Sequence, residues 1–194
     1  MKHRSLYDAL NNIHPIDENA WAAFEPLVEE ETVAKNNFLV TEGQRAYHCF
    51  MLFEGIVRVF YNKDGDEYNK TFFGPGTFPT ALTALLTQSP AELNFQALTD
   101  CRVVKFPFEG FRVLFDRHRC FESLFRIVLE QEWINKERHD IRMVTNDATT
   151  NYLIFREEYP GLEQQIPQYH IASHLGNTPI QLSSIRAKLL QEAH

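Results

Sequence analysis

The spacing of apolar residues along the chain changes period twice, at Glu31 and at Phe108. From residue 5 to 30 it is helical: Trp21, Phe24, Leu27 and Val28 recur at three- and four-residue steps, and Asp17 is suited to cap ENAWAAFEPLVEE. The run VEEET, Val28–Thr32, reads as the solvated end of that helix. From Glu31 the period falls to two. TVAKN, FLVTEG, CFMLFEG, IVRVFYN, YNKTFFG, ELNFQAL and CRVVKFP are short, rich in Val, Phe and Tyr, and punctuated by glycine and by the hairpin pair Asp64-Gly65. They predict about seven or eight short antiparallel strands, the pattern of a sandwich or jelly roll.

From Phe108 the helical period returns. FEGFRVLFDRH predicts a short helix, and CFESLFRIVLEQEWINKERHDIRMVTND a long one with Phe121, Leu124, Phe125, Val128, Trp133, Ile134 and Ile141 as its apolar positions. Such a helix either packs back on the strands or pairs with its twin in a second copy. NYLIFREEYPGLEQ predicts a further helix that stops before Pro160-Gly161.

The last segment, IPQYHIASHLGNTPIQLSSIRAKL, predicts two helices joined by a glycine turn. Ile171, Ala172 and Leu175 face inward on the first, Gly176 ends it, Thr178 caps the second with Pro179 at its first position, and Leu182, Ile185 and Leu189 form the inward stripe. The pattern fits a helix-turn-helix or an ordinary helical hairpin.

Within the strand region lies GPGTFPTALTALLTQSPAELNFQ, Gly74–Gln96. A turn followed by a short helix can hold a phosphate on backbone N–H groups. Yet no Lys or Arg occurs from Thr71 to Asp100, and Glu92 stands in the stretch instead. It reads as a phosphate site that has lost its charge, a pocket for something else, or a core segment.

Composition narrows the field. The 194 residues are 44% hydrophobic and 23% charged, with 16 Phe and a net charge of −7, which describes a folded chain and disfavours wholesale polyanion binding. The three cysteines are far apart, without a CxxC pair, which argues against a disulfide framework, a zinc knuckle or an iron–sulfur cluster. No apolar run approaches the ~20 residues of a membrane span, and the N-terminus lacks a signal-peptide core, so a cytoplasmic location is expected. His170 and His174 share a helix face but have no third ligand, His48 stands alone, and no nucleophile motif is present. No catalytic residue, metal or cofactor is therefore assigned, and a metal-dependent jelly-roll enzyme is the weakest reading.

The order of parts resembles the Crp/Fnr family of bacterial transcription regulators. The marks are Gly43, Gly55, the Asp64-Gly65 hairpin, FFGPGTF at Phe72–Phe78, and the terminal IPQYHIASHLGNTP. The resemblance implies an α+β fold: an antiparallel jelly roll of the cyclic-nucleotide-binding type flanked by helices, a long connecting helix and a small C-terminal helix-turn-helix. It divides the chain into an effector domain at 1–116, a dimerisation helix at 117–146 and a DNA-binding domain at 147–194. It also implies a homodimer on a two-fold DNA site.

In the cyclic-nucleotide-binding members a Gly-Glu pair and an Arg hold the ribose and the cyclic phosphate. Laid on this chain those places fall at Thr80, Ala81 and near Ala91, beside Glu92, so tight cyclic AMP binding is not expected. A more apolar effector, or none, would lie among Phe73, Phe78, Thr80, Ala81, Leu82, Ala91 and Glu92. The DNA-reading candidates are Gln168, Tyr169, Thr178, Ile180, Gln181, Ser184, Arg186 and Lys188, with Gln181 suited to adenine, Ile180 to a thymine methyl, and Arg186 and Lys188 to phosphates. Residues 147–194 nevertheless carry a net charge of −2, unusual for a DNA-binding unit. The alternative is a ligand- or protein-binding module of this fold that has lost specific DNA binding.

Overall fold

The computed structural model describes residues 2–192. Two amphipathic helices come first. Helix α1 (Arg4–Ile13) buries Leu6 and Leu10, and α2 (Glu18–Phe24) buries Ala20, Trp21 and Phe24. Asp17 caps α2, its carboxylate accepting the Ala20 N–H at 2.8 Å. The helix ends sooner than the apolar spacing suggests. Pro26 turns the chain through one 3₁₀ turn at Glu25–Leu27, and VEEET becomes strand rather than helix end, within β1 (Glu29–Val33). The strand pairs with a later one, β7 (Cys101–Pro107), over Glu29–Val33, and Glu29 and Glu31 project to one side of it and flank Lys105, at 3.7 and 2.9 Å.

The remaining strands are β2 (Phe38–Val40), β3 (His48–Glu54), β4 (Val57–Lys63), β5 (Asp66–Phe73), β6 (Asn94–Ala97) and β7 (Cys101–Pro107). They form two antiparallel sheets, ordered β1-β7-β3 and β2-β6-β4-β5. Glu31 pairs with Val103, and Met51 with Val104. The β4–β5 hairpin closes on Asp64 and Gly65, both at positive φ (57° and 98°), with the Gly65 N–H donated to Asn62 Oδ1. Two left-handed central residues match the twist of the flanking strands.

Two apolar clusters result. Leu52, Val57, Val59, Phe95, Ala97, Val103 and their neighbours fill the barrel. Trp21, Phe24, Phe106, Phe111, Phe121 and Leu124 join helices to the outside of the first sheet. The short helix α3 (Leu82–Thr87) interrupts the strands, and α4 (Phe108–Val113) and α5 (Arg119–Thr145) follow them. The first half of α5 packs through Phe121, Leu124, Phe125 and Val128. In its second half Trp133, Ile134, Ile141 and Val144 are exposed. Then come α6 (Ala148–Glu158), α7 (Gln168–His174) and α8 (Pro179–Glu192). No helix among the described residues is long and apolar enough to cross a membrane.

The chain divides into two compact units. One comprises Met1–Val59 with Phe72–Trp133; the other joins Ile134–His194 to the separate segment Phe60–Thr71, the outer part of the β4–β5 hairpin.

Candidate functional site

In the first unit the candidate effector residues divide between the two apolar clusters. Ala81 and Ala91 are buried in the barrel cluster with Ala84, and Phe73 packs against the same cluster. Phe78 and Leu82 instead pack against the helix-side cluster beside Leu85. Glu92 is exposed. Thr80 is held by its own backbone surroundings: its hydroxyl accepts the Phe50 N–H at 3.0 Å and lies 3.4 Å from the Phe50 carbonyl. Helix α3 has Ala81 at its N-cap position and no side-chain cap bond. Arg58 is a buried cation of the same unit that the sequence reading passed over; its Nε donates to Gln96 Oε1 at 2.8 Å. Its neighbours Val57 and Val59 point into the barrel cluster, so strand alternation places Arg58 on the opposite face, away from that interior.

In the second unit α7 and α8 pack as the spacing predicts. Ile171, Ala172, Leu175 and Leu182 are buried, with Ile185 and Leu189 half-buried. Gly176 takes φ +66° at the turn. Thr178 and Gln181 form a reciprocal cap: the Thr178 N–H donates to Gln181 Oε1 at 2.8 Å, and the Gln181 N–H to Thr178 Oγ1 at 3.2 Å. The Gln181 amide oxygen is therefore engaged, and a bidentate contact to adenine would have to open the cap.

Gln168, Tyr169, Ile180, Ser184 and Lys188 are exposed, Ile180 to 79%. Arg186 is half-buried and acts on Tyr152, whose hydroxyl donates to Glu163. Burial, then that carboxylate, push the Tyr152 phenol up to about 12. Lys188 acts on Asp147, the cap of α6, whose carboxyl is held below its usual range first by the Thr150 N–H.

The same unit holds a group of contacts that sequence reasoning missed. Three side chains on one face of α7, at positions 170, 173 and 174, meet strand β5. Ser173 Oγ accepts the Asn69 N–H at 3.0 Å and donates to the Glu67 carbonyl at 2.9 Å. Asn69, itself buried, donates its amide N–H to His170 Nδ1 at 3.3 Å. His174 reaches the backbone of Asn69 and Lys70 and stacks on His139, with ring centroids 5.2 Å apart. The only available signal was the four-residue spacing of His170 and His174, which reads as packing; nothing in it names the strand that is packed upon.

Burial, followed by the neighbouring His139, lowers the His174 imidazole from its ordinary value to about 4. The folded chain therefore binds fewer protons than the unfolded chain between about pH 4 and pH 6.5, and stability falls as pH falls through that window. Relative to His174→Leu, the wild-type chain is expected to lose about 3 kcal/mol between pH 7 and pH 4. Urea midpoints of the two proteins across that range check this, and parallel pH curves would refute it.

Comparison with known proteins follows this geometry. Residues 30–118 match the family model of the cyclic nucleotide-binding domain. No curated protein matches by sequence. Among solved structures, the chain is similar to the c-di-GMP-responsive global regulator CLP of Xanthomonas campestris, at 15% identity and TM-score 0.71, over 91% of this chain and 93% of that one. It is similar to FixK2 of Bradyrhizobium japonicum at 17% identity and TM-score 0.71, over 86% of each chain. It is similar to a CooA mutant of Carboxydothermus hydrogenoformans at 18% identity and TM-score 0.70, over 94% and 84%. The fold is thus a cyclic-nucleotide-binding jelly roll with a long helix, shared with these solved structures.

Proposed function

We propose that the chain is a dimeric, cytoplasmic DNA-binding transcription regulator of the Crp/Fnr type that does not respond to cyclic AMP. The observation that carries this reading is the capped helix pair α7–α8, with an exposed second helix, on the same chain as a cyclic-nucleotide-binding barrel. In this reading residues 1–116 hold the effector domain, 117–146 join two copies and 147–194 read DNA. The exposed Ile134 and Ile141, seven residues apart on α5, and Val144 beyond them, support the pairing of copies. The methyl-lined cassette at Ala81 and Ala91 supports independence from cyclic AMP. The effector, if one exists, would be a more apolar molecule.

Selection from a random duplex library tests it, at low salt and again near ~0.2 M, where phosphate-driven binding falls steeply. A two-fold sequence with half-sites about ten base pairs apart is expected, recovered equally with and without cyclic AMP. Ile180→Ala with Gln181→Ala should abolish that enrichment while leaving the helical spectrum intact. Enrichment that persists in this variant would overturn the assignment of α8 as the reading helix.

One set of observations favours a second reading, a binding module of the same fold without DNA specificity. The outer face of α8 exposes Ile180 and Leu190, and Arg186 is half-buried. Recovery of no sequence, or of binding lost in salt, would favour it.

A further inference from the structure

Leu182 is fully buried and Ile185 and Leu189 are half-buried, which fixes how α8 is turned about its own axis. The opposite face carries positions 180, 184 and 187, spaced four and three apart. They hold Ile180, Ser184 and Ala187, and all three are exposed. Ile180 stands directly after Pro179, the first residue of the helix, and is 79% exposed. In a helix laid in the major groove, the N-terminal residues are the ones that meet base edges.

Two polar side chains beside Ile180 are engaged within the helix. Gln181 Oε1 holds the Thr178 N–H, and Ser184 Oγ donates its hydrogen to the Ile180 carbonyl at 3.1 Å. A hydroxyl used in this way is left as an acceptor, and an acceptor takes a hydrogen bond from adenine N6 and from cytosine N4 alike. Arg186, the only Arg in α8, is half-buried and lies off this face. Discrimination then falls to apolar contact. In the major groove the apolar group on a base edge is the C5-methyl of thymine. Cytosine carries the same group at the same place once it is methylated at C5.

We infer that α8 reads a pyrimidine C5-methyl group through Ile180, so that thymine and 5-methylcytosine satisfy the contact equally while uracil and unmodified cytosine do not. This rests on α8 being the DNA-reading helix, as assigned above. It adds a sensitivity to DNA modification: a half-site with cytosine at the contacted position becomes a stronger site when that base is methylated. Burying one methyl group is worth about fourfold in affinity for each half-site, and about fifteenfold for a two-fold duplex.

The duplex recovered by selection supplies the probe, and fluorescence anisotropy on the full chain reads the affinities. Each thymine of the half-sites is replaced in turn, in both half-sites together, by deoxyuridine, which removes only the methyl group. The same positions are also made cytosine or 5-methylcytosine opposite guanine. At one position deoxyuridine should weaken binding about fifteenfold, and 5-methylcytosine should bind about fifteenfold more tightly than cytosine. Both ratios should fall to about one in Ile180→Ala and persist in Ile180→Val, since only the alanine removes the apolar surface that covers the methyl group. Ile180 is exposed, so neither substitution disturbs the buried face of α8. A selected sequence that is indifferent to the methyl group at every thymine, or that has no thymine in its half-sites, would overturn the inference and leave the DNA-reading assignment standing. So would a methyl preference that survives Ile180→Ala. Recovery of no sequence would overturn both, and the selection shows this before any modified duplex is made.

Discussion

Gly55→Ala is expected to destabilise the barrel by about 4 kcal/mol or to prevent its folding. Gly55 sits between β3 and β4 at φ +95°. A Cβ there would lie 2.5 Å from the Asp100 carbonyl oxygen, 2.6 Å from Cys101 Sγ and 2.9 Å from Cys101 Cα. Two of those three atoms are backbone, and Cys101 is fully buried in the barrel cluster, so nothing nearby can rotate away. The Leu98 N–H to Ile56 carbonyl bond, at 2.8 Å, fixes the same crossing from the other side. Gly43 supplies the control. It too has positive φ (80°), but its Cβ would meet nothing within 4 Å, so Gly43→Ala should cost only about 1 kcal/mol of backbone strain. Denaturant midpoints of the two variants separate conformation from collision. Equal losses would show that the close approach at Gly55 relaxes freely.

Phe24→Ala should cost about 4 kcal/mol through loss of buried area and the cavity left behind. Phe24 is fully buried, and its ring centroid lies 5.8 Å from Trp21, 5.0 Å from Phe106, 5.4 Å from Phe111 and 5.2 Å from Phe121. These rings come from α2, β7, α4 and α5, so one side chain ties the N-terminal helices to the end of the barrel and the start of the long helix. Edge-on and tilted aromatic contacts add to simple burial. Phe24→Leu keeps most of the volume and should lose less than about 2 kcal/mol. A small, equal effect of both substitutions on the urea midpoint would mean that the surrounding rings close over the gap.

Much of this architecture was legible in the chain. The Asp17 cap, the Asp64-Gly65 hairpin, the helix stop before Pro160 and the Gly176 turn with its Thr178 cap all depend on residues within four positions of one another. Local chemistry therefore predicts them. VEEET was misread because charge and helical spacing agreed up to Val28, whereas the strand is defined by its pairing with β7, far along the chain, where Lys105 lies between Glu29 and Glu31. The candidate pocket shows the same limit. Ala81 and Ala91 do share a cluster, but sequence distance could not reveal that Phe78 and Leu82 belong to a different one. Arg186 was assigned outward by its charge, whereas its place four residues after the buried Leu182 turns it partly inward. The contacts between α7 and β5 were invisible for a similar reason. Asn69 and Ser173 are separated by over a hundred residues, and neither carries a motif.

The split composition of the second unit has a consequence for inheritance. Its helices lie downstream of residue 134, yet the strand they hold is encoded between residues 60 and 71. A crossover in the gene anywhere between those segments would join one lineage's hairpin to another's α7. Such chimaeras would keep every helix and lose the fit between them. Variation at positions 67–71 and 170–174 is therefore expected to be inherited in matched sets, and descendants of this chain should exchange their C-terminal helices only together with the hairpin.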